Sequence, residues 1–158
     1  MKSRRPRRRV DAVIAGGAHN VRTIELEIPN DVGEIERVVE LVRHECKAMK
    51  FAERQIMLNV PVALTEALSN AILRGNRDDP AKRVRIVARV SRSALIIEVT
   101  DEGGGFDLEA CTVDPTTPDQ IIEEDGRGLF LMRKLMDSVE RFPGSPGNVV
   151  RLTLRRAS

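Results

Sequence analysis

The 158-residue chain contains no tryptophan, no tyrosine and only four phenylalanines. Nucleic-acid binding through aromatic stacking platforms therefore has little to build on. Cysteine is nearly absent: Cys46 and Cys111 stand far apart, without a CxxC spacing or a neighbouring histidine. That excludes a disulfide framework and a cysteine-rich metal site, and it fits a reducing compartment. No run of 18 apolar residues occurs, so run length alone gives no membrane span. The opening MKSRRPRRRV lacks the apolar core of a signal peptide, which argues against secretion and for the cytoplasm. GxxxxGK[ST] is missing, so there is no Walker A loop. Neither charge sign dominates, since 26 Lys and Arg against 24 Asp and Glu leave a net +2.

What is present is a soluble globular composition, 32% charged and 41% hydrophobic. The length suits one domain with a real core. Lys2, Arg4, Arg5, Arg7, Arg8 and Arg9 surround Pro6 without apolar periodicity. Residues 1–20 read as a solvated, disordered basic arm, and 21–158 as the single domain. Contact of the arm with nucleic acid is the lesser reading.

VRTIELEI (21–28) alternates apolar and polar residues and reads as a half-buried strand. In the next segment Ile35, Val38, Val39, Val42 and Cys46 recur at helical spacing, with Asp31 as the N-cap. Residues 52–76 form a second, largely apolar helix that Pro61 should kink or divide. VRIVARV (84–90) and ALIIEVT (94–100) make a hairpin around Ser91-Arg92-Ser93. Residues 107–125 read as a mobile acidic loop containing Pro115 and Pro118. A helix over 128–139, a turn at RFPGSPGN and a last strand, VVRLTLRR, complete the chain. The order implies an α+β fold: a two-layer sandwich with a mixed, mostly antiparallel sheet covered on one face by helices.

Three stretches carry chemistry. Glu66, Asn70 and Arg74 are spaced i, i+4, i+8 and project from one helix face. Taken alone, such a triplet is most often an ordinary solvated stripe. DEGGGFD (101–107) puts Asp101 at a strand end, followed by Gly103, Gly104 and Gly105, which let backbone pass close to a ligand. Its plain reading is a capped glycine turn. GRG (126–128) opens a helix whose free N–H groups suit an anion, although GxG at a loop–helix junction is common.

In this order, EALSNAILRGN, DEGGGFD and GRGLFLM resemble the asparagine box and the two glycine boxes of the GHKL ATP-binding superfamily. The compact length and GRGLFLMRKLMDSV resemble its bacterial anti-sigma factor serine kinases. The resemblance implies a Bergerat-type fold with ATP and Mg²⁺ as cofactors. Asn70 is then the metal ligand and Glu66 the catalytic base. Asp101 accepts the adenine amino proton, Ser69 stands near adenine, and Gly103 and Gly105 clear space for the nucleotide. Gly126, Arg127, Gly128 and Leu129 cover the phosphates. Arg74, where the family often has histidine, is a phosphate contact. Gly147-Asn148 replaces the family's Gly-Thr, and Thr153 is a candidate to compensate.

The implied partners are an anti-sigma factor antagonist that accepts phosphate on serine and a sigma factor that is sequestered. A homodimer is also compatible, while a membrane is not implied. The alternative is a nucleotide-binding switch without kinase activity. A histidine-kinase fragment ranks third, because His19 and His44 lack the context of a phospho-accepting helix.

Overall fold

Alternation decides the sheet. In β2 (Arg22–Pro29), Ile24, Leu26 and Ile28 are buried while Glu25 and Glu27 are exposed. β3 (Arg83–Val90) and β4 (Ala94–Thr100) repeat the pattern with Val84, Ile86, Ala88, Val90, Leu95, Ile97 and Val99. The computed structural model describes residues 13–16, 20–103, 127–144 and 147–157. β1 (Val13–Gly16), β5 (Ser138–Pro143) and β6 (Asn148–Arg155) complete one sheet of order β1-β2-β3-β4-β6-β5. Every pairing among the described residues is antiparallel, so the expected α+β sheet is present without a parallel pair. Leu26 pairs with Ile86 and Ile97 with Leu152, which joins the apolar side chains into one continuous face.

A helix layer covers that face. α1 (Ile35–Ala48) begins after a short 3₁₀ turn, Val32–Glu34, and Asp31 caps it by accepting the Gly33 N–H at 2.9 Å. It buries Ile35, Val38, Val39, Val42 and Cys46. Lys50, at φ 62°, turns the chain out of helical geometry. α2 (Val60–Asn70) is the central helix and buries Val60, Ala63, Leu64, Ala67 and Leu68. Each fully buried valine or leucine among them contributes roughly 1.5–3 kcal/mol. α3 (Arg127–Leu135) adds Gly128 and Met132 to the buried surface.

Pro61 does not break α2. A π turn, Gln55–Asn59, precedes it, and the Val60 N–H donates to the Gln55 carbonyl. Proline lacks an N–H and crowds the preceding turn, so a wide turn accommodates it. A second π turn, Ala71–Gly75, follows α2, with Asn76 N–H on the Ala71 carbonyl at 2.8 Å. Arg77 and Asp78 then adopt left-handed φ values of 50° and 56°, which ends the helix. By length and composition Gln55–Gly75 could cross a membrane, with 21 residues and a mean hydropathy of 1.5, although its apolar residues are not one unbroken run. In this fold its apolar side is the core against the sheet.

Two strands were not anticipated. β1 lies inside the basic arm and pairs with β2 from Val13↔Glu25 to Gly16↔Arg22. β5 occupies residues assigned to a helix end and a turn, and α3 stops at Leu135. Beyond it, Asp137 N–H donates to the Thr153 carbonyl at 2.9 Å and the Asp137 carboxylate accepts the Arg155 N–H at 2.6 Å. The open backbone groups of β6 thus draw the chain out of the helix.

The sheet's other face carries acids and bases in alternation. Glu27 pairs with Arg83, and Arg89 with Glu98. Arg151 bridges Glu98 and Glu140 at 3.7 and 3.3 Å. Exposed pairs such as these contribute about 0–1 kcal/mol each. Burial, and then the charge of Glu45, push the Cys46 thiol up to about 12, so it behaves as an inert core residue. Glu45 itself pairs with Arg22 at 2.7 Å.

Candidate functional site

Glu66 and Asn70 sit one turn apart on α2, both half-buried. They face the first turn of α3. A Cβ on Gly128 would lie 2.8 Å from Glu66 Oε2 and 3.4 Å from Asn70 Nδ2. Only glycine lets the helix start come this close without displacing them. At the far end of α3, Asn59 Nδ2 donates to the Leu135 carbonyl at 2.8 Å, so the two helices lie antiparallel. Leu129 packs at the edge of the core, Met132 anchors the helix beneath it, and Arg127 is exposed at its first position. The structure therefore brings Glu66, Asn70 and the opening of α3 together.

Asp101 follows β4 and is 7% exposed. Its Oδ1 accepts the Gly103 N–H at 2.9 Å and the Asn148 N–H at 3.3 Å. Its own N–H donates to the Asn148 carbonyl at 3.0 Å. Three glycines permit this packing. A Cβ would fall 2.2 Å from Asp101 Oδ2 at Gly75, 1.8 Å from the Gly75 carbonyl oxygen at Gly103, and 1.9 Å from the Asp101 carbonyl oxygen at Gly147. Burial raises the Asp101 carboxyl above the usual carboxylate range, while the Gly103 and Asn148 N–H groups and the charge of Lys82 oppose the rise. A buried carboxylate held on one oxygen by backbone donors can present an acceptor to an exocyclic amine.

This donor set fits a magnesium nucleotide. Among the described residues no cluster of three or more His, Cys, Asp and Glu could hold a metal alone. One or two protein oxygens beside phosphate oxygens is the usual provision for Mg²⁺, and the Asn70 side-chain carbonyl supplies one next to a helix N-terminus, with the Glu66 carboxylate beside it.

Not every expected residue joins the site. Thr153 pairs with Ile96 and Ser138, and shares strand parity with Arg151. Its neighbours Leu152 and Leu154 point into the core, so alternation places Thr153 on the charged face, away from the helix layer. Arg74 lies within the second π turn, one turn beyond Asn70. Ser69 precedes Asn70 on α2 and is half-buried. Gly105, Gly126 and the expected loop 107–125 lie outside the described residues.

Sequence reasoning missed Gly75, and it noted Gly147 and Asn148 only as a departure from a family pattern. Gly75 stood within residues 52–76, read as a helix. Its role depends on Asp101, which is distant in the chain, and no local pattern reports such a contact.

The comparisons with known proteins agree with this geometry. The family described as the histidine kinase-like ATPase domain matches residues 28–154, and the chain belongs to that family. Within it, the chain is 34% identical over 100 residues to the serine-protein kinase RsbW of Bacillus subtilis, covering 60% of this chain and 62% of that one. RsbW of Halalkalibacterium halodurans is 30% identical over 128 residues, covering 77% and 76%. The anti-sigma F factor of Clostridium perfringens is 33% identical over 85 residues, covering 53% and 61%. The matches thus span somewhat less than two thirds of the Bacillus subtilis and Clostridium perfringens relatives.

Proposed function

We propose that this chain is a cytoplasmic anti-sigma factor serine kinase. It binds ATP with Mg²⁺, phosphorylates a serine on an antagonist protein and sequesters a sigma factor. The observation that carries this reading is the approach of Gly128 to Glu66 and Asn70, which puts a helix N-terminus over a carboxylate and an amide. The kinship with proteins named serine-protein kinase and anti-sigma F factor supports it.

Bound MgATP supplies the phosphoryl group and a divalent charge that offsets the phosphates. Asp101 orients the adenine by accepting from its amino group. Gly103 keeps side-chain bulk out of that space. The carbonyl oxygen of Asn70 holds the metal. Arg127 and the free N–H groups at the start of α3 hold phosphate charge. Glu66 takes the proton from the attacking serine hydroxyl.

The test is transfer of labelled phosphate from ATP to a serine protein recovered with the chain from native lysate, with and without Mg²⁺. Label on serine supports the kinase. No label, and no effect of ATP on any bound protein, rejects it. A second reading rests on the same contact: at the α3 N-terminus the Glu66 carboxylate could simply hold that helix. The protein would then be a nucleotide-dependent switch.

Asp101→Asn separates function from stability. The amide oxygen can still accept the Gly103 and Asn148 N–H groups, but the charged acceptor is gone. ADP affinity should fall about 10–150-fold, as for the loss of roughly 1.5–3 kcal/mol. Stability should move the other way. Because the folded carboxyl is raised, the folded state binds more protons, and stability declines as pH rises from the unfolded titration through the folded one. Above that window the carboxylate destabilises the apo fold, so the variant should melt no lower than wild type at pH 7. Calorimetry and thermal melts read both effects, and unchanged ADP affinity in the folded variant would remove Asp101 from the base contact.

A further inference from the structure

We infer that Asn76 is a positioning residue for the base end of the site, fixing where the Asp101 carboxylate stands by tying the end of α2 to the chain after β4. The ligand consequence rests on the nucleotide reading above. The effect on the carboxylate does not.

Asn76 is fully buried and touches no proposed ligand-binding group through its side chain. Its Oδ1 accepts the Glu102 N–H at 2.7 Å. Its Nδ2 donates to Asn30 Oδ1 and to the Arg83 carbonyl, both at 2.9 Å. Asn30 in turn donates to the carbonyls of Ile72 and Asp79, at 3.2 and 3.0 Å. Two amides therefore join the ends of β2, α2 and β4 to the start of β3.

Covalent adjacency turns this network into a positioning device. Asn76 follows Gly75, whose missing side chain leaves the space that Asp101 Oδ2 occupies. Glu102 follows Asp101. The bond from Glu102 N–H to Asn76 thus locks two neighbouring residue pairs side by side, and it sets the approach of Gly75 to the carboxylate. Asn70 lies upstream on the same helix, so one network registers the phosphate end against the base end. An aliphatic residue at 76 would leave several buried polar groups unpaired. Asparagine supplies the one acceptor and two donors that the position uses.

The experiment compares the full chain with Asn76→Ala and Asn30→Ala. Asn30→Ala removes one branch but keeps the bond to Glu102, so it controls for lost stability. Two readouts report position: the ratio of ADP to GDP affinity, and the titration of the Asp101 carboxyl by NMR without ligand. Lys82, whose charge acts on that carboxyl, is unchanged in both variants. Asn76→Ala should lower ADP affinity at least about tenfold, erode the preference for ADP and return the carboxyl toward its ordinary titration. Asn30→Ala should lower the melting temperature while keeping the preference and the titration. A folded Asn76→Ala that loses only melting temperature overturns the inference. If the wild type does not discriminate ADP from GDP yet its carboxyl responds to Asn76→Ala, the nucleotide reading fails and the positioning role stands. If Asn76→Ala does not fold, amide exchange in the wild type decides. Protection of the Glu102 N–H supports the network, and free exchange there overturns it.

Discussion

Glu66→Gln should bind ATP within about threefold of wild type yet transfer phosphate about 10²–10⁴-fold more slowly, the usual loss when a positioned base is removed. Glutamine keeps the volume that meets Gly128, and it keeps an oxygen that can accept a hydrogen bond. It cannot take a proton at neutral pH. Removing the negative charge beside the N-terminus of α3 costs about 0.3–1 kcal/mol, so the melting temperature should fall only slightly. Labelled transfer in single turnover, with nucleotide affinity measured on the same preparation, separates the two effects. Full transfer by the variant would show that Glu66 is not the base. A wild type that transfers nothing, while ATP still alters partner affinity, would establish the switch and leave Glu66 as the support of α3.

Gly147→Ala should abolish measurable ADP binding and lower stability by about 2–5 kcal/mol. Two separate penalties meet at this position. The backbone has φ +77°, which L side chains rarely adopt. The added Cβ would also stand 1.9 Å from the Asp101 carbonyl oxygen, and a main-chain atom cannot swing aside as a long side chain can. Relief requires moving Gly147 away from Asp101. That would break the hydrogen bonds between Asn148 and Asp101 that hold the carboxylate. In a domain of this size the loss corresponds to roughly 5–20 °C of melting temperature. Gly33→Ala is the control: its Cβ would meet only the exposed Asp31 side chain, at 3.3 Å, so the melt should be nearly unchanged. Retained ADP affinity in Gly147→Ala would refute the account of how Asp101 is held.

Much of this was readable from local pattern, and the exceptions share a cause. The alternation in 84–90 and 94–100 specified strands because one face is buried and a one-residue slip would turn every apolar side chain outward. Glu66 and Asn70 were legible as neighbours because α2 keeps its period between them. β5 was hidden because Asp137, Ser138 and Val139 prolong the amphipathic pattern of α3 and Pro143 looks like a breaker. At the end of an edge strand, proline is tolerated. Thr153 was assigned to the site by its nearness in sequence to Gly147, and strand parity then put it on the opposite face. Gly75 acts through Asp101, and Asn76 through Asn30 and Glu102, each more than twenty residues away, which periodicity cannot register.

The alternating charges on the uncovered face of the sheet make the protein's response to heat lopsided. Ion hydration becomes less favourable as temperature rises, so holding Arg89, Glu98, Arg151 and Glu140 in fixed pairs is opposed less strongly in warm solution than in cold. The gain from the apolar face levels off over the same range. The two sides of one sheet therefore exchange relative importance on warming, and added salt should depress the melting point more when the transition lies high than when denaturant has brought it low.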